Sequence, residues 1–232
     1  MNILAIDTSN QVMGVAITKD GVLVGELITN VKRNHSVRLM PAIDQLMKET
    51  DTRPVDINKI VVANGPGSFT GVRIGLATAK TMGWALQIPV VGISSLQVLA
   101  DQGAFSTDYI CPFFDARRGL VYTGLYKGDG NGKIVESKKE TNVLFAEWLK
   151  SLAEQGEKVV FLSQDMEMHR QNIMKYMGSL ATIPKGSIHT PRPSTLAMIG
   201  ENRTEGSIHT LVPNYLRLAE AEANWLKQQE TR

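Results

Sequence analysis

Three short stretches hold the residues best suited to chemistry: Asp7-Thr8-Ser9, the glycine-rich run Asn64 to Gly75, and Asp115-Ala116-Arg117-Arg118-Gly119. An acid followed by two hydroxyl residues can engage a phosphate, although turns favour the same residues for local hydrogen bonding. A glycine-rich loop that opens a helix is an anion site, because free N–H groups and the helix dipole point at the ligand. Neither common nucleotide pattern is complete. Ala79-Lys80-Thr81 lies inside the predicted helix, where it cannot cradle a phosphate, and Gly65-x-Gly67 has no Gly or Ala three residues on. Arg117 and Arg118 can hold an anion through their side chains, while the plainer reading is a solvated hairpin tip. None of His35, His169, His189 and His209 lies four residues from another, so no helix-borne metal pair is present and no metal site is expected. His35 before a helix reads as a cap or an exposed residue.

The elements that position these residues centre on one strand-loop-helix junction. Lys59 to Ala63 is a β-branched run suited to a strand buried on both faces, and Gly65, Pro66 and Gly67 break it. Ser68 or Thr70 caps the helix predicted from Gly71 to about Gln87. Gly71, Gly75, Ala79 and Gly83 recur at every fourth position of that helix. Glycine costs about 1 kcal/mol relative to alanine inside a helix, so the stripe needs a packing reason. It fits tight packing on the chain's own sheet and close approach of another backbone equally well. Val72, Ile74, Leu76, Ala77, Met82, Ala85 and Leu86 spread apolar surface around the rest, which calls for cover on two sides.

Strands are expected at 2–6, 11–18 and 22–28, with Lys19-Asp20-Gly21 as a hairpin turn. A helix at about 36–49 carries Leu39, Ile43, Leu46 and Met47 on one face, flanked by Val37 and Met40. A strand at 88–93 and a helix at 96–102, capped by Ser94-Ser95, complete a first half spanning 1–104. The second, smaller half at 105–213 is expected to contain strands at 109–114, 120–126 and 159–162. Its helices fall at 145–155 and 195–201, the latter capped by Ser194. A final amphipathic helix at about 219–229 is expected to return to the first half, so that 214–232 completes it.

With 232 residues, 43% hydrophobic and 21% charged, the composition is that of an ordinary globular protein. A net charge of +2 is too small to trap nucleic acid electrostatically by itself. The single Cys111 excludes an internal disulfide and fits a reducing compartment. The apolar run Ile3 to Ile6 is too short for a signal peptide, and no segment reaches membrane-spanning length. No membrane association and a cytoplasmic location are the expectation.

The α/β order of three antiparallel strands, helix, strand, helix, strand is that of an actin-like half-domain, and Asp7-Thr8-Ser9 resembles the first phosphate loop of sugar kinases and heat-shock ATPases. More specifically, six motifs together resemble the TsaB (YeaZ) family. They are Ile3 to Ser9; His35-Ser36 with Leu39-Met40-Pro41; Gly65 to Gly75; Ser94-Ser95-Leu96; Asp115 to Gly119; and Pro213-Asn214-Tyr215-Leu216-Arg217. The resemblance implies an actin-like pseudo-enzyme of two related half-domains with mixed sheets flanked by helices, partnering a catalytic paralogue, TsaD. That paralogue transfers a threonylcarbamoyl group to the adenosine next to the anticodon of tRNA. It carries a His-x-x-x-His metal pair and a glycine-rich second phosphate turn, both missing here, so no catalytic residue and no cofactor is expected.

The resemblance further implies a helical-bundle heterodimer with TsaD. Its interface residues would be Leu39, Met40, Ile43, Leu46, Met47, Gly71, Gly75, Ala79, Met82 and Gly83. It also implies a TsaE-type ATPase as a further partner, a homodimer in isolation, and tRNA met only through the complex. Asp7, Thr8, Arg117 and Arg118 stay as candidate nucleotide or anion contacts. Gly75→Leu is expected to block the complex while leaving the chain folded. The competing reading is an active actin-like nucleotide phosphotransferase or hydrolase that uses Asp7 and Thr8.

Overall fold

The computed structural model describes residues 1–31, 34–204 and 208–216. The first lobe is built from β1 (Asn2–Asp7), β2 (Val12–Lys19), β3 (Val22–Asn30), α1 (His35–Glu49), β4 (Lys59–Ala63), α2 (Phe69–Leu86) and β5 (Val90–Ile93). Its sheet runs β3-β2-β1-β4-β5, with β1 to β3 antiparallel and β4 and β5 parallel to β1. The hairpin tip adopts the left-handed φ values that Asp-Gly favours, +50° at Asp20 and +76° at Gly21. β1 alternates in the way a sheet covered on both faces requires. Leu4 and Ile6 join the core under α1 and α2, while Ile3 and Ala5 join the core on the opposite face.

α3 (Ser95–Asp101) follows, its first amides held by the Ser94 hydroxyl. The second lobe comprises β6 (Tyr109–Asp115), β7 (Leu120–Gly128), β8 (Ile134–Leu144), α4 (Phe145–Gln155), β9 (Val159–Leu162), α5 (Met166–Met177) and β10 (Ala181–Thr182). Its sheet order is β10-β9-β6-β7-β8. α4 and α5 cover one face through Phe145, Leu149, Leu152, Ile173 and Met177. α3 is wedged between the lobes. Val98 packs with the first sheet, and Leu96, Leu99 and Ala100 pack on Ile110, Phe114 and Tyr126 of the second.

α6 (Pro193–Glu201) corrects the expected division at 105–213. It leaves the second lobe and covers the free face of the first sheet, where Leu196 and Ala197 meet Ile3, Ala5 and Val61. Ser194 does not cap it. The Glu26 carboxylate accepts from the Ser194 N–H at 2.9 Å and hydroxyl at 2.7 Å. At the other end the buried Lys59 ammonium donates to the carbonyls of Gly200, Glu201 and Arg203, at 3.5, 3.0 and 3.3 Å. An acid at the N-terminus and a cation at the C-terminus both complement the helix dipole. The final helix expected at 219–229 lies outside the described residues.

Asp101, in the last turn of α3, is half-buried, and burial pushes its carboxyl up to about 6. A carboxyl whose folded pKa exceeds its unfolded value favours folding below pH 4 and loses that contribution as the pH rises towards 6. Asp101→Asn is therefore expected to raise stability at pH 8 by about 1 kcal/mol, after discounting for solvent screening, and to leave it unchanged at pH 4. Urea unfolding at the two pH values checks this.

Candidate partner face and interlobe cleft

Asn34 starts α1 by accepting from the Ser36 N–H at 3.0 Å, which makes it, and not His35, the cap. The expected partner face of α1 is in fact the chain's own core. Leu39 and Ile43 are 1% exposed, Leu46 6% and Met47 7%, all packed with the first sheet. The opposite side of the helix is what solvent meets: Val37 is 68% exposed and Met40 48%, with Pro41 and Asp44 beside them.

α2 gives the same correction. Ser68 caps it, accepting from the Gly71 N–H at 3.3 Å. The glycine stripe faces inward. A Cβ on Gly71 would lie 2.2 Å from the Thr8 carbonyl oxygen, one on Gly75 2.6 Å from Thr8 Oγ1, and one on Gly83 2.3 Å from Val90. Ala79 is fully buried. Of the two readings of the stripe, packing on the parent sheet is the one realised, because Thr8 after β1 and Val90 of β5 leave no room for a Cβ at the three glycines. Met82 is half-buried against the same core. Outward, α2 shows Ala77, Thr81, Ala85 and Trp84, the last 66% exposed. An indole this exposed on a rigid helix is the feature a reading by spacing missed. Its signal was the nearly all-round apolar surface of the helix.

Between the lobes lies a cleft of about 780 Å³ lined by Asn10, His35, Ser68, Phe69, Arg117, Tyr122 and Asp165, among others. Asp7 and Thr8, expected at such a site, are buried and do not line it. Thr8 Oγ1 donates to the Gly71 carbonyl at 2.7 Å, and Asp7 Oδ1 accepts from the Ser9 N–H at 2.8 Å and hydroxyl at 2.7 Å. Burial raises the Asp7 pKa, opposed by the Ser9 hydrogen bonds. Thr8 Oγ1 thus serves the junction with α2, and Asp7 Oδ1 the turn that follows β1.

Arg117 does reach the cleft, and Arg118 is exposed beside it. Their turn takes left-handed φ at Arg117 (+64°), Arg118 (+55°) and Gly119 (+76°). Two consecutive non-glycine residues there carry a local conformational cost. Asp115 offsets it: Oδ2 accepts from the Arg117 N–H at 3.1 Å, and Oδ1 lies 3.0 Å from Nε2 of the buried His169. Asp165 and His169 belong to α5 and its N-terminal boundary, an element not anticipated, so this support was invisible in the sequence. Among the described residues, no three His, Cys, Asp or Glu side chains come together as a metal-ligand set. No described helix is long and apolar enough to cross a membrane.

Two five-stranded mixed sheets with flanking helices and an interlobe cleft define an actin-like α/β protein. The YeaZ structure from Pseudomonas aeruginosa superposes with a TM-score of 0.77 at 23% identity, covering 93% of this chain and 99% of that one. A hexokinase of the ROK type from Thermus thermophilus superposes at 0.52 and 9% identity, covering 86% and 98%. Residues 23–225 match the family model described as TsaD, tRNA N6-adenosine threonylcarbamoyltransferase. The tRNA threonylcarbamoyladenosine biosynthesis protein TsaB of Bacillus subtilis is 48% identical over 99% of this chain and 100% of its own length. The chain belongs to the TsaB (YeaZ) family.

Proposed function

We propose that this protein acts in tRNA threonylcarbamoyladenosine biosynthesis as a non-catalytic subunit that docks a TsaD-type catalytic paralogue on the outer faces of α1 and α2. The supporting observation is 48% identity over the full length of a protein of that name, joined to a helix pair whose outer side carries Val37, Met40, Ala77 and Trp84. The inner residues expected at this interface, Leu39, Ile43, Leu46, Met47 and the glycine stripe, take the role of a rigid support. Met40 remains a direct contact, with Met82 at its margin. Burying a large apolar side chain contributes about 1.5–3 kcal/mol before association costs, so Met40 and Trp84 with their neighbours are enough to hold a partner. The same face accounts for a homodimer in isolation, and a TsaE-type ATPase joins the assembled pair. tRNA is met only through the complex.

The non-catalytic reading draws on the inward commitment of Asp7 and Thr8. An active phosphotransferase or hydrolase would need those atoms in the cleft. Titration calorimetry of the isolated chain with magnesium-ATP is expected to give no heat of binding at micromolar concentrations. Micromolar binding that Asp7→Asn abolishes without unfolding the chain would favour the enzyme reading.

A further inference from the structure

Residues 208–216 run across the first lobe and meet α2 in reverse order. Ile208 lies against Gly83, the Leu211 carbonyl accepts from Lys80 Nζ at 2.9 Å, and the Tyr215 hydroxyl bonds Arg73 Nε at 2.6 Å. From Gly83 to Arg73 is about 15 Å of helix at 1.5 Å per residue, so the segment spans most of the α2 flank. Tyr215 also stacks on Phe69, with ring centroids 5.3 Å apart, and the Arg73 guanidinium sits 3.8 Å over the Phe69 ring. Near its end, the Asn214 N–H donates to the Asn64 carbonyl at 2.7 Å, the last residue before the loop that opens α2.

Two contacts tie this segment to the other lobe: Leu216 packs against the cluster of Ile110, Phe114 and Tyr126, and a carboxylate supplies the polar one. Glu140 of β8 accepts from Asn214 Nδ2 at 3.2 Å and from the Tyr126 hydroxyl at 2.6 Å, and its Oε1 also accepts from the Ser94 hydroxyl at the start of α3. One carboxylate thus joins β7, α3 and the returning segment, at the edge of a second cavity of about 470 Å³ that Glu136 and Arg203 also line. Burial pushes the Glu140 carboxyl upward against the pull of its donors from Ser94, Tyr126 and Asn214. A carboxylate placed at such cost on a lobe boundary, with donors from three elements, is a fastening point and not a solvated surface acid.

We infer that residues 208–216 form a strap on the flank of α2, and that Glu140 of the second lobe is the clasp that holds it at Asn214. The second lobe thereby controls whether the strap covers α2. When the clasp is intact, Tyr215 is kept on Phe69 at the mouth of the interlobe cleft and the α2 flank is closed. When it is lost, Asn214 keeps only its backbone bond to Asn64, and the strap loosens locally at position 214. This inference does not depend on the identity of any partner.

The test is hydrogen exchange of the Asn214 amide in the full chain, read residue by residue by NMR, with the β6 amides of Ile110 and Cys111 as the core reference. Glu140→Ala removes the acceptor. Asn214→Asp keeps the strap's size and sets a like charge against Glu140. Both variants are expected to speed exchange at position 214 at least tenfold while β6 stays within twofold of wild type. Exchange at 214 within twofold of wild type in the folded variants would overturn the clasp. So would a rise shared equally by β6, which would mark Glu140 as a general support of the fold. If Glu140→Ala does not fold, Asn214→Asp carries the same decision.

Discussion

Glutamate at both Met40 and Trp84 is expected to leave the free chain as stable as wild type, within about 0.5 kcal/mol, and to weaken its complex with a TsaD-type paralogue at least a hundredfold. The stability expectation follows from exposure. Met40 is 48% exposed and Trp84 66%, so neither supports the core, and surface substitutions of that kind seldom move stability further. The binding expectation follows from what a partner must do at those positions. It would forgo two apolar anchors and bury two unpaired carboxylates, each change amounting to about 2 kcal/mol or more. Thermal unfolding of the free variant and titration calorimetry against the paralogue separate the two effects. An unchanged affinity would place the contact elsewhere.

The largest effect on folding is expected one layer further in. Gly71→Ala sets a methyl 2.2 Å from the Thr8 carbonyl oxygen, a backbone atom that cannot step aside without moving the end of β1. Gly75→Leu meets Thr8 Oγ1 at 2.6 Å, and that hydroxyl is itself held by the Gly71 carbonyl at 2.7 Å. Overpacking a rigid contact of this sort costs about 3 kcal/mol, or roughly 10 °C in Tm for a chain of this length. Gly75→Leu is accordingly expected to fail as a folded, interface-only variant, which reverses the expectation that placed Gly75 at the partner interface. Circular dichroism melts of both variants decide it, and melts unchanged from wild type would mean that α2 does not rest on the Asp7-Thr8 turn.

Much of the first lobe was legible because its signals are local. The Asp-Gly hairpin, the hydroxyl caps at Ser68 and Ser94 and the β-branched strands each specify structure within a few residues. Which side of an apolar helix meets its own sheet is not local. Leu39, Ile43, Leu46 and Met47 make a clear stripe, but a stripe looks the same whether it fits a parent sheet or a partner. The strand at β8 was missed because Glu136, Lys138 and Glu140 belong to an edge strand that keeps polar side chains, and α5 because its methionines give a weak period. α6 could not be assigned to a lobe from sequence, since Glu26 and Lys59, which receive its two ends, lie more than a hundred residues away.

The central claim is that the outer faces of α1 and α2 are covered by a second polypeptide and not by this one. Light scattering coupled to size exclusion, on an equimolar mixture of this chain and the TsaD-type paralogue of the same organism, tests it most directly. One peak at the summed mass of one copy of each is expected, splitting into two peaks when Met40 and Trp84 are both glutamate. Separate peaks from the wild-type mixture, or a joint peak that persists with the double variant, would contradict the account.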